Sequence, residues 1–138
     1  GLFVQDNQSF SRYGVIRGLH MQTDGHPQAK LIRVLQGRIL DVIIDFRKNS
    51  ETYLSSITEE LSEHNKKQLY APRGFLHGFS VLSETAVVAY KTDAYFERNS
   101  EFGLRFDDPT FNIDWQIPAD QQIVSEKDRQ LRWLGKQG

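Results

Sequence analysis

The segment "KLIRVLQGRILDVIIDFR", residues 30–47, restricts the architecture of this chain more than any other stretch. Two apolar runs meet at Gln36-Gly37, a hairpin signal, because glycine supplies the backbone conformation that a tight turn demands. In the second run Leu40, Val42, Ile44 and Phe46 share one parity, while Asp41 and Asp45 share the other with Ile39 and Ile43. A strand turns successive side chains to opposite faces, so parity is the level at which its burial is read. The same texture continues downstream. "TYLSSITEEL" and "KKQLYAP" read as strands around the polar turn "SEHNKK", and "LHGFSVLSETAVVAYKTDAYF" as a second hairpin turning near Ser83-Glu84. The first residues resemble the inside of a strand, whereas "ERNSEFGLRFDDPTFNIDWQIP" is loop-rich. Only the tail "SEKDRQLRWLG" suggests a short helix, with Ser125 as its N-cap. Many short strands at regular spacing predict an all-β sandwich or barrel, and periodicity stops there: it does not choose the topology.

A chain of 138 residues supports one domain around one core. Its formal net charge of −1 offers no basic excess for nucleic acid or an acidic membrane surface. No apolar run approaches the roughly 20 residues needed to cross a bilayer. Cysteine is absent, which removes disulfides, thiolate metal sites and a cysteine nucleophile, and is compatible with the cytoplasm.

"IRGLHMQ", residues 16–22, reads as a strand yet carries Arg17 and His20 around Gly18. Side chains three apart on a regular strand point to opposite faces; a bulge at Gly18 would re-aim one of them. The simpler alternative leaves Arg17 in solvent. Lys30 opens the next strand. A lysine there is ordinarily solvated, but facing a barrel interior it would steady a developing oxyanion far better than in bulk water. "APRGFLHGF", residues 71–79, places His77 beside Gly78 after a Pro-Gly turn, and a core-bonded histidine is the competing interpretation. Tyr90 and Tyr95 are ordinary strand aromatics unless a substrate reaches a phenol able to donate its proton. Asp128, in "SEKD", would orient a histidine if the tail folded back on the barrel. The four histidines, His20, His26, His64 and His77, form no His-x-His pair and have no nearby glutamate to complete a compact ligand set, so a metal site is poorly supported. No glycine-rich phosphate loop occurs at a strand-to-helix junction.

Five segments in order, "FVQDNQSFSRYGVIRGLHMQ", "QAKLIRVLQGRILDVIIDFR", "APRGFLHGFSVLSETAVVAYKTDAYF", "DDPTFNIDW" and "SEKD", resemble the dTDP-4-dehydrorhamnose 3,5-epimerase family over nearly the whole chain. The resemblance implies a single domain over residues 1–138 with a cupin-type jelly-roll β-barrel and a short helical tail. It implies a homodimer in the cytoplasm, no metal and no cofactor. The substrate would be a nucleotide-linked 4-keto-6-deoxy sugar, inverted at C3 and C5 on the route to dTDP-L-rhamnose. It also implies roles: His20 as base, Asp128 as its partner, Lys30 near the C4 oxygen, Tyr90 as general acid and His77 as a substrate contact. Gln5, Asn7, Arg17 and Glu101 match positions that contact the nucleotide diphosphate.

The chemistry unites these residue types. A C4 ketone acidifies the C3 and C5 C–H bonds, so a base, an enolate stabiliser and an opposite-face acid are needed together. Three departures accompany the resemblance. Tyr95-Phe96 and Arg98 stand where many members have two tyrosines and a proline, Met21 stands where a tyrosine is usual, and the family's N-terminal region, with its dimer and nucleotide contacts, is expected to be missing. Two further readings remain open: an epimerase of one centre only, and a sugar-nucleotide-binding barrel without activity. A metal-dependent cupin is a third class.

Overall fold

The computed structural model describes residues 2–23, 25 and 27–134. His26, one of the histidines weighed as a metal ligand, lies outside them, as does Gly135 at the end of the expected tail helix. The described residues form ten strands: β1 (Gln5–Arg12), β2 (Val15–Gln22), β3 (Lys30–Gln36), β4 (Arg38–Asp45), β5 (Ser56–Ser62), β6 (Gln68–Ala71), β7 (Phe75–Val81), β8 (Thr85–Thr92), β9 (Glu101–Gly103) and β10 (Ile123–Val124). They form two sheets, one in the order β1-β8-β3-β6 and the other β10-β2-β7-β4-β5, with β9 added to β2. The architecture is the all-β jelly-roll barrel anticipated above.

Both expected hairpins are corrected by this topology. β3 pairs with β6 and β8, whereas β4 pairs with β5 and β7, so the chain changes sheet at Gly37. It changes sheet again between β7 and β8. The reason lies in the burial of both parities of β4. A strand apolar on both faces needs cover on both sides, so the chain turns a corner between sheets and leaves β4 to central neighbours from elsewhere. Gly37 makes that corner with φ of +83°; a Cβ there would sit 2.2 Å from the Thr85 carbonyl oxygen.

One face of β4 and β7 looks into the space between the sheets, where Ile39, Ile43, Phe79 and Val81 meet Ile32, Val34 and Val88. The other face carries Leu40, Val42, Ile44 and Leu76 and is covered by Phe106, Phe111 and Trp115 from the loop-rich segment. Each such fully buried side chain contributes about 1.5–3 kcal/mol of transfer free energy. Polar anchors order that irregular cover: Trp115 Nε1–H donates to the Phe106 carbonyl at 2.9 Å, and the Ser80 hydroxyl to the Trp115 carbonyl at 2.8 Å. The tail helix is a single turn, α1 (Glu126–Arg129), shorter than the sequence suggests. Ser125 caps it, its Oγ accepting the Asp128 N–H at 3.1 Å.

Candidate active site

The inner faces of the sheets diverge at one end around a cavity of about 660 Å³. Parity explains which side chains reach it. On the smaller sheet, Lys30 continues the row of Ile32 and Val34, Tyr90 continues that of Val88, and Asn7 lies opposite Tyr90 with Gln5 two residues away. On the larger sheet the register with β7 decides. Arg17 is paired with Phe79 and His20 with His77, so three steps along β2 match two along β7. The irregularity lies at Gly18 and Leu19, and it brings Arg17 and His20 to the same inner face. The strands approach closely there: a Cβ on Gly18 would lie 2.7 Å from Gly78 Cα and 2.9 Å from the His77 carbonyl oxygen. All nine residues singled out above, Gln5, Asn7, Arg17, His20, Lys30, His77, Tyr90, Glu101 and Asp128, line this one cavity. Tyr95 does not; it is largely exposed on the adjoining loop.

Folding the tail back on β2 brings Asp128 to His20. His20 Nε2 lies 2.7 Å from Asp128 Oδ1, and the Gly18 N–H donates to Oδ2 at 3.0 Å. Burial pushes the Asp128 carboxyl up, but the His20 bond, the Gly18 N–H and the charges of His20 and Lys127 together hold it below its ordinary value. The pair thus keeps its carboxylate charged. With Nε2 committed to Asp128, the other ring nitrogen, Nδ1, is buried beside Gly103 and has no hydrogen-bond partner. Glu101 Oε1 is 3.8 Å from Nδ1 and is itself held by Lys127 Nζ at 2.6 Å. An imidazolium formed here would lie between two carboxylates.

On the opposite sheet the Lys30 ammonium lies 5.6 Å from the centre of the Tyr90 ring. Loss of hydration pushes Lys30 down, against the raising influence of Asp41 and Glu101. Burial also pushes the Tyr90 phenol up; Arg17 opposes this and Glu101 adds to it, leaving the phenol protonated in neutral solution. Arg17 stands exposed at the rim, braced by Nε and Nη2 on the Ser11 hydroxyl at 3.2 and 3.1 Å. Gln5 Oε1 accepts the Phe96 N–H at 3.1 Å and so ties the 93–100 loop to the wall.

Three features escape the sequence reading. Asp41 is fully buried and lies 2.6 Å from His77 Nε2 through Oδ1. Lys127 lines the cavity next to the anticipated Asp128, and Phe96 lines it where Tyr95 does not. The one signal for Asp41 is an acidic residue set within an unbroken apolar run. Among the described residues, no three His, Asp or Glu side chains converge as a metal-ligand cluster.

A base held by a carboxylate, a half-buried lysine and a protonated phenol around one cavity define an acid–base isomerase built on a jelly-roll barrel. Comparison with known proteins makes the class specific. The model of the dTDP-4-dehydrorhamnose 3,5-epimerase family matches residues 1–136, and the chain belongs to that family of isomerases. It is 46% identical over 133 residues to the dTDP-4-dehydrorhamnose 3,5-epimerase of Methanothermobacter thermautotrophicus, covering 96% of this chain and 71% of that protein. The crystal structure of the enzyme from Elizabethkingia anophelis superposes with a TM-score of 0.95 at 52% identity, over 96% of this chain and 73% of that one. A Legionella pneumophila relative, in complex with dTDP-4-keto-L-rhamnose, gives 0.93 at 42% identity over 99% and 72% of the respective chains.

Proposed function

We propose that this cavity inverts C3 and C5 of a dTDP-4-dehydro-6-deoxy-hexose by proton abstraction and opposite-face reprotonation, on the route to dTDP-L-rhamnose, and that its residues divide the work as follows. His20 takes the proton from the carbon next to the ketone as the C–H electron pair moves to the C4 oxygen. Asp128 fixes the tautomer by holding Nε2–H and stabilises the imidazolium that results. The Lys30 ammonium balances the enolate charge in a site where water is scarce. Tyr90 delivers its proton to the other face of the planar carbon. Solvent returns the proton to Tyr90 and removes the one on His20 before the second centre reacts. Arg17 at the rim suits the diphosphate, which a guanidinium fork can grip. Gln5, Asn7, His77 and Glu101 supply the remaining contacts to the substrate.

The observation that carries this reading is the arrangement of His20, bound to Asp128 at 2.7 Å, in the same cavity as Lys30 and Tyr90. The ligand in the Legionella relative, dTDP-4-keto-L-rhamnose, supports the substrate class. Proton–deuterium exchange in heavy water, followed by NMR with dTDP-4-dehydro-6-deoxyglucose, tests it. Exchange is expected at both C3 and C5, and His20→Ala is expected to lower turnover by about 10²–10⁴-fold. Exchange at one carbon alone rejects the double epimerase, and a His20→Ala enzyme near wild-type rate rejects the base.

The single domain acts as a homodimer in the cytoplasm, where nucleotide-activated sugars are at hand. Phe10, Leu35 and Tyr70 stand exposed on the smaller sheet, and a second copy would cover them. Sedimentation as a monomer at micromolar concentration would refute the pairing.

A further inference from the structure

Asp41 is a buried ionisable group that the mechanism above leaves unused. It lies on β4 with no exposed surface, directly opposite Phe79 and one step diagonally from His77 on the same inner face. Its Oδ1 meets His77 Nε2 at 2.6 Å, and its Oδ2 has no hydrogen-bond partner. A carboxylate withdrawn from water with one oxygen unbonded is costly. Hydrophobic packing gives no reason for it: its parity neighbours Ile39 and Ile43 sit in the apolar core between the sheets. The cost is offset only if the negative charge serves something nearby. Two candidates line the cavity beside it, the imidazole of His77 and the ammonium of Lys30.

We propose that Asp41 is a positioning residue for the epimerisation, holding His77 as the Nε2–H tautomer so that Nδ1 accepts from a substrate hydroxyl. The inference rests on the epimerase reading. The groups around each target are few. Lys30 feels Asp41 from β4 and Glu101 from β9, with the Tyr90 ring from β8 beside it. His77 feels Asp41 from β4 and stands across from His20 on β2. Of the two charges that oppose the loss of hydration at Lys30, Asp41 acts more strongly than Glu101. Removing it lets Lys30 surrender its proton at lower pH, so the enolate loses its counter-charge while nucleotide contacts at the rim are untouched.

The experiment compares wild-type enzyme with Asp41→Asn, a change that keeps the side-chain shape and deletes the charge. Wild type must first show exchange at C3 and C5; without it the epimerase reading fails, and this inference with it. With wild type active, Asp41→Asn is expected to lower kcat on the order of ten- to a hundredfold, the range for a partner that orients a functional histidine. The affinity for dTDP, carried by the nucleotide contacts at the rim, stays within about threefold. The alkaline limb of the kcat profile moves to lower pH, which a purely structural defect would not produce. Imidazole ¹⁵N NMR on wild type is expected to show His77 protonated on Nε2. A variant with wild-type kcat and an unmoved alkaline limb overturns the proposal, as does a His77 protonated on Nδ1. Should the variant fail to fold, the wild-type tautomer decides alone.

Discussion

Asp128→Asn isolates what the carboxylate does for His20. The side chain is 7% exposed and serves two neighbours at once, His20 Nε2 at 2.7 Å and the Gly18 N–H at 3.0 Å. An amide has one acceptor end and one donor end, so it must choose. If its oxygen faces His20, its NH2 confronts the Gly18 N–H, two donors buried together at a cost of about 1–3 kcal/mol. The favoured arrangement therefore keeps oxygen on Gly18 and turns NH2 toward His20. Nε2 then becomes the acceptor and the imidazole proton moves to Nδ1, which reverses the tautomer that Asp128 holds. The base is lost by tautomer, while the fold keeps both contacts. Wrong-tautomer substitutions behind a catalytic histidine reach about 10⁴-fold, and loss of general-base work about 10²-fold or more. At 1.36 kcal/mol per decade this is about 3–5 kcal/mol of transition-state stabilisation. The cost to stability should be far smaller, about 1–2 kcal/mol for the charge-assisted bonds replaced by neutral ones. Single-turnover exchange at C3 and C5 read by NMR, beside urea unfolding, measures both quantities. A variant within threefold of wild-type kcat refutes the reasoning; so does one whose lost activity is matched by an equal loss of folding free energy.

Gly18→Ala should cost about 3 kcal/mol or more in urea unfolding and abolish exchange, because the added Cβ meets backbone at Gly78 and His77 that cannot yield, at a φ of +129°; tolerance of the alanine would refute the close approach. A second expectation concerns acid. Asp45, 1% exposed, accepts from Arg47, Ser50 and Thr52, and the Arg47 bond above all holds its carboxyl well below the ordinary carboxylate range. A pKa lower in the folded than in the unfolded state stabilises above the unfolded value near 3.8, and that stabilisation is lost as pH falls toward the folded value. The midpoint for thermal unfolding should therefore drop steeply below about pH 4, and Asp45→Asn should flatten that dependence while costing about 2 kcal/mol at pH 7; an equally steep acid dependence in the variant refutes the assignment.

What could be read from the residues follows the physics of each signal. Alternation and turn residues make the all-β class legible, since they act over two to eight positions. They cannot separate a hairpin from a corner between sheets, because Gly37 and Ser83-Glu84 serve either purpose with the same backbone needs. The distinction rests on which strands flank β4 and β7, a long-range fact. Parity, applied strictly, would have aimed Lys30 and Tyr90 inward with Ile32, Val34 and Val88. The same rule separates Arg17 from His20. The glycine between them marks where it fails, but the size of the slip, three residues against two, exists only in the pairing with β7. β9 is three residues long and too short for any period to show. Chemical roles were legible only through motif resemblance, which names residues that touch substrate. Asp41 shows the limit: it acts through His77, thirty-six positions away, and in "RILDVIID" nothing but its charge sets it apart from the core around it. A buried charge in an apolar strand is therefore the signal to pursue in chains of this kind, since packing alone would favour an apolar residue in its place.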